Sequence, residues 1–75
     1  MNGEQFLKTV ELQLGRKGVK MSDRFIEDLG AESLDLVNLA VVIEEQTGIF
    51  VAVEAVPELN TVQDFYDYLL SISSL

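Results

Sequence analysis

Apolar residues return along most of this chain with the period of a helix. Over residues 3 to 14, Phe6, Leu7, Val10 and Leu14 recur at spacings of three, four and seven, which places them on one helical face. Asn2, followed three residues later by Gln5, reads as a capping box at the start of this helix, and Gly15 as its stop. The pattern then lapses. Residues 15 to 32 are broken up by Gly15, Gly18, Ser22, Asp23 and Gly30, and they predict a long loop. A structureless loop of this length is unusual in a small domain, so Val19, Met21, Phe25, Ile26 and Leu29 are expected to pin it to the core.

The helical period resumes over residues 33 to 47. Ser33 reads as the N-cap, Asp35 sits in the first turn where the helix end is positive, and Gly48 follows as a stop. This segment has two apolar stripes, one of Leu36, Leu39, Ala40 and Ile43, the other of Leu34, Val37 and Val41. A helix apolar on most sides must face something besides its own core, so one of the two stripes is expected to be partly exposed or to line a cavity. The run IFVAV, residues 49 to 53, has strand propensity but no second strand to pair with, and reads as an extended connector. A short helix is expected near Glu54 to Leu59, weakened by Pro57. Thr61 and Asp64 form a second capping-box pattern, opening a last helix to about Ser73 with Val62, Phe65, Tyr66, Leu69 and Ile72 inward. The expected architecture is all-α: one domain over residues 1 to 75, a small four-helix bundle of three main helices and one short one, with a long loop between the first two.

Charge sharpens this picture. All five basic residues lie in the first 24, and from Phe25 to Leu75 there are ten acids and no base, a local charge of −10 within a total of −8. Such a field repels nucleic acid and anionic lipid and attracts basic protein surfaces. The absence of cysteine removes disulfides and thiolate chemistry, and the absence of histidine removes the commonest general base and the Ser-His-Asp arrangement. Glu27, Asp28, Glu32 and Asp35 cluster in sequence, but they do not match a calcium loop. An enzyme is disfavoured, and no catalytic or metal-ligating residue is assigned. The opening MNGEQFLKTVELQLG is too polar for a signal-peptide core, and LDLVNLAVVI is too short to span a bilayer. These features predict a cytoplasmic monomer, or the mature form of an organellar protein, without membrane insertion or nucleic-acid binding.

Ser33 is the one candidate for chemistry. A hydroxyl beside a Gly-Ala turn at a helix N-terminus could be a simple cap, or it could be an exposed acceptor of an anionic group. The surrounding DLGAESLDLVNLAVVIEEQTG, residues 28 to 48, resembles the attachment motif of the acyl carrier proteins, with Asp28, Leu29, Gly30, Ser33, Leu34 and Asp35 matching. Phe25-Ile26-Glu27 resembles the segment before that motif, and TVQDFYDYL resembles the family's last helix. The resemblance implies that Ser33 receives 4′-phosphopantetheine from coenzyme A, transferred by a phosphopantetheinyl transferase, and that the arm's thiol holds an acyl chain as a thioester. It implies an acyl cavity beside the second helix formed by Phe25, Val37, Val41, Val51 and Leu59. It also implies recognition by acyl-chain synthesis or transfer enzymes with basic docking patches, through Asp35, Glu44 and Glu45 together with Glu32, Leu34, Val37, Asn38 and Val41. Glu32 stands where the family usually has aspartate, and Asn38 where it usually has an acid. Leu36 and Val53 are apolar where polar residues are common. These departures predict a greasier recognition surface than that of a housekeeping carrier of fatty acid biosynthesis. Two other readings stay open: a carrier of an aminoacyl or polyketide intermediate, and a carrier-like scaffold in which Ser33 is an unmodified cap.

Overall fold

A computed structural model describes residues 1 to 73 and contains four helices. Helix α1 spans Gly3–Leu14, α2 spans Ser33–Thr47, a short 3-10 helix spans Val53–Glu58, and α3 spans Val62–Ser73. Among the described residues there is no strand, only one isolated antiparallel bridge between Arg24 and Thr61. The architecture is the expected small all-α bundle. No helix among the described residues is long and apolar enough to cross a membrane.

Each long helix begins with a local hydrogen-bonded device. At α1 the Asn2 carboxamide accepts from the Gln5 N–H (2.8 Å), and the Asn2 N–H donates to the Gln5 side chain (3.0 Å). At α3 the Thr61 hydroxyl accepts from the Asp64 N–H (3.0 Å), and the Asp64 carboxylate accepts from the N–H groups of Thr61 (3.0 Å) and Asn60 (3.1 Å). Both are capping boxes that satisfy otherwise orphaned donors.

The core lies where α1, α2, α3 and the long loop converge. Phe6 of α1 meets Phe65 of α3 with ring centroids 5.6 Å apart, and Phe65 in turn meets Phe25 of the loop at 6.0 Å. All three rings are fully buried. From α2, Leu36, Leu39, Ala40 and Ile43 close the cluster, so the first stripe is the one that faces the core. From α3 the buried residues are Val62, Phe65 and Leu69, with Tyr66 packed at the edge.

The loop is long, as expected, but it is not structureless. Residues 25 to 29 form a helical turn, in which the Arg24 carbonyl accepts from the N–H groups of Asp28 (3.0 Å) and Leu29 (3.1 Å). The loop is tied to the start of α3 by main-chain bonds from Phe25 N–H to the Asn60 carbonyl (2.9 Å), Val62 N–H to Asp23 (2.9 Å) and Gln63 N–H to Met21 (2.8 Å). Val19, Phe25 and Leu29 are buried, and Met21 packs against the core. Ile26, expected as an anchor, is instead exposed on the outer side of the turn. The short helix runs from Val53 rather than Glu54 and is of the 3-10 type, with Pro57 near its end.

Candidate functional site

The N-terminus of α2 differs from expectation in one informative respect. The N-cap is Glu32, with extended backbone (φ −102°, ψ 165°), and Ser33 is the first helical residue. The side chain of Asp35 reaches back and accepts from the Glu32 N–H at 2.8 Å. Ser33 is therefore not the cap. Its side chain is exposed, and its hydroxyl has no hydrogen-bond partner among the described residues. Sequence alone favoured Ser33 because serine is a far better N-cap than glutamate, whereas in the folded chain the cap position falls to Glu32, whose N–H is held by Asp35 three residues further on.

The approach to Ser33 is held from several sides. Gly30 adopts a left-handed conformation (φ 66°), which lets the chain turn from the loop into α2. On either side of it Leu29 and Ala31 are buried, and the Ala31 N–H donates to the Phe25 carbonyl at 2.9 Å. Upstream, Arg24 grips Asp28: the Asp28 carboxylate accepts from the Arg24 backbone N–H (2.8 Å), Nε (3.2 Å) and Nη2 (3.3 Å). These hydrogen bonds hold the Asp28 carboxyl below the usual aspartate range and raise Arg24 above its ordinary value. Glu27 lies 3.6 Å from the same guanidinium. The four acids that cluster in sequence thus divide in space, two on Arg24, Asp35 on a backbone N–H, and Glu32 exposed at the cap. Among the described residues no three acidic side chains come together as a metal site.

A pocket of about 170 Å³ opens beside Ser33. Phe25, Leu36, Val37, Val56 and Leu59 supply apolar walls, and Ser33 itself lines the mouth. Of the five residues expected to form an acyl cavity, Phe25, Val37 and Leu59 line this pocket. Val41 and Val51 do not: Val41 is 52% exposed on α2, and Val51 is buried in the core. The wall that sequence reasoning missed is Val53 and Val56. In a 3-10 helix, residues three apart eclipse one another, so the spacing of Val53, Val56 and Leu59 carried that signal.

The outer face of α2 mixes acids with grease. Glu32, Leu34, Asn38, Val41, Glu44 and Glu45 are exposed, while Asp35 and Val37 are half-buried. Leu34 is the most accessible large apolar residue of this helix, at 66%. Asp35 is committed to the cap, so it presents less of its carboxylate outward than its position in sequence suggests.

The chain matches the family model described as phosphopantetheine attachment site over residues 4–69. It belongs to that family. The protein is accordingly a carrier domain and not an enzyme; 4′-phosphopantetheine is attached to it covalently, and its partners are a phosphopantetheinyl transferase and synthesis enzymes. The residues around α2 suit such a group. An unengaged hydroxyl is free to form an ester, the N–H groups of the first helical turn favour an anion there, and an apolar pocket adjoins it. When attached, the group supplies a thiol to a chain that has no cysteine of its own.

Proposed function

We propose that Ser33 is the attachment residue and that the protein carries acyl intermediates, as thioesters, between enzymes of a fatty-acid or specialised lipid pathway. The observation that carries this reading is the exposed, unbonded Ser33 hydroxyl beside an apolar pocket. In loading, Ser33 Oγ forms a bond to the phosphorus of coenzyme A that bears the pantetheine. The pyrophosphate bond breaks, adenosine 3′,5′-bisphosphate leaves, and the hydroxyl proton passes to the transferase or solvent. An apolar lining shelters an alkyl chain better than a charged aminoacyl group, because a buried unpaired ammonium is costly. Tethering also raises the local concentration of cargo at each successive enzyme.

In this reading the enzymes dock on the outer face of α2. Glu32, Glu44 and Glu45 attract basic patches, and Leu34, Val37 and Val41 add apolar contact, with Asn38 and Asp35 between them. Charge contacts of this kind speed encounter more than they tighten it, which suits a shuttle. The test is intact mass after incubation with coenzyme A, Mg²⁺ and a phosphopantetheinyl transferase. The expected result is a gain of one phosphopantetheine, absent in Ser33→Ala. A gain that survives Ser33→Ala moves the site elsewhere and refutes the assignment.

A further inference from the structure

Beyond the hydroxyl itself, one side chain from outside the α2 segment reaches the turn that delivers it. Arg16 follows the end of α1, and its guanidinium donates to two consecutive main-chain carbonyls, Leu29 (Nη1, 3.1 Å) and Asp28 (Nη2, 3.4 Å). These are the last two carbonyls before Gly30, where the chain swings into α2. The N–H groups of the same stretch are satisfied from within the loop: Asp28 and Leu29 bond to Arg24, Gly30 to Ile26, and Ala31 to Phe25. The carbonyls of Asp28 and Leu29 instead face Arg16. The approach to Ser33 is thus fastened below by the buried Leu29 and Ala31, ahead by Asp35 on the Glu32 N–H, and behind by Arg16.

We propose that Arg16 is a positioning residue for loading at Ser33: by bridging the Asp28 and Leu29 carbonyls to the exit of α1, it fixes the Gly30–Glu32 turn and with it the Ser33 hydroxyl. This rests on Ser33 as the attachment residue. Arginine suits the task because its planar fork offers donors to two acceptors at once, whereas a lysine ammonium is a point charge on a flexible stem. Arg16 is exposed and touches neither the hydroxyl nor the pocket, so its effect on loading runs through the turn.

The experiment compares wild type, Arg16→Gln and Arg16→Lys in two measurements. One is transferase kinetics with coenzyme A and Mg²⁺; the other is amide hydrogen exchange across residues 28 to 34. In Arg16→Gln, kcat/KM is expected to fall roughly tenfold, the scale on which small misplacements of a reacting group act. Exchange at Gly30, Ala31 and Glu32 should quicken while the centres of α1 and α3 keep their protection. Arg16→Lys keeps the charge but not the fork, and it should behave more like Gln than like wild type. Unchanged exchange in Arg16→Gln overturns the proposal whatever the loading rate. A rise in KM alone, rescued by lysine and weakened by salt, also overturns it, by making Arg16 a charge that the transferase senses directly. Failure of the wild-type chain to load at Ser33 would instead strike the attachment reading, and the exchange measurement would still decide whether Arg16 holds the turn.

Discussion

Replacing Ser33 by alanine separates two roles that a serine at the head of a helix can play, and it does so by the sign of the change in stability. Were Ser33 the N-cap, its removal would cost about 0.5–2 kcal/mol. The structure puts it one residue further on, exposed and with its hydroxyl unbonded. There the only consequence is helix propensity, which favours alanine over serine by a few tenths of a kcal/mol, up to about 0.5. Urea unfolding resolves the difference. With a slope of roughly 1 kcal/mol per molar for a chain this small, the midpoint should hold or rise by a few tenths of a molar, whereas loss of a cap would lower it by about 0.5–2 M. Total stability for a domain of this size is roughly 4–11 kcal/mol, so either shift lies well within a measurable transition. Loading with phosphopantetheine should vanish in the same variant. A destabilisation of about 1 kcal/mol or more would show that the hydroxyl caps α2 after all, and would refute the argument that it stands free for chemistry.

Three further outcomes are expected. Asp28 titrates below its ordinary value in the folded chain because Arg24 bonds to it, so its contribution is complete above the unfolded value of about 3.9 and fades as pH falls through the lower folded value. Thermal melts should therefore show wild type ahead of Asp28→Asn at pH 6, with the gap closing towards pH 2; a constant gap would detach the effect from ionisation. Gly30→Ala meets no atom within 4 Å, so its cost is the left-handed backbone alone, about 1–2 kcal/mol by urea unfolding. A neutral result would mean that the turn relaxes out of that conformation. Finally, ten acids without a base between Phe25 and Leu75 repel one another, so added NaCl or millimolar Mg²⁺ should raise the melting temperature, and a flat response would mean the acids are already far enough apart.

What the sequence disclosed was mostly what is decided within one turn of chain. The α1 and α3 capping boxes are pairs three residues apart, and both formed as read. The apolar period placed Phe6, Val10, Leu39, Ile43 and Phe65 in the core correctly because each follows a helix already in register. The misreadings come from competition or distance. At α2 two residues competed for the cap, and intrinsic preference chose Ser33 where the reach of Asp35 chose Glu32. In the pocket, the three-residue spacing of Val53, Val56 and Leu59 carried the signal, but it points to a wall only once the short helix is known to wind with a period of 3.0 rather than 3.6. The bridge between Arg24 and Thr61, and the reach of Arg16 to Leu29, join residues far apart in sequence with no local signature. Ile26 looked like a core residue by composition and faces outward because the turn at residues 25 to 29 points Phe25 and Leu29 inward instead.

The displaced cap has a functional logic of its own. A carrier passes between a bare and a modified state, and both must be the same folded protein to meet the same enzymes. Were an attachment hydroxyl also the cap of α2, esterifying it would replace the oxygen that accepts the first-turn N–H with a bulkier phosphoester, and the helix end would be held differently in the two states. Here Glu32 takes the cap position, Asp35 bonds its N–H, and Ser33 is left with no structural duty. The acid that performs this task sits in the first turn, where negative charge is favourable to the helix, and it is half-buried rather than fully exposed on the outer face of α2. With Ser33 as the attachment residue, the anionic group would arrive at the same helix end, where the field of α2 offsets some of the repulsion from Glu32 and Asp35. If Ser33 is the attachment residue, its chemistry is in this way separated from the interactions that hold α2 in place, and the turn before it, fastened by Arg16 and by the buried Leu29 and Ala31, can stay the same in both states.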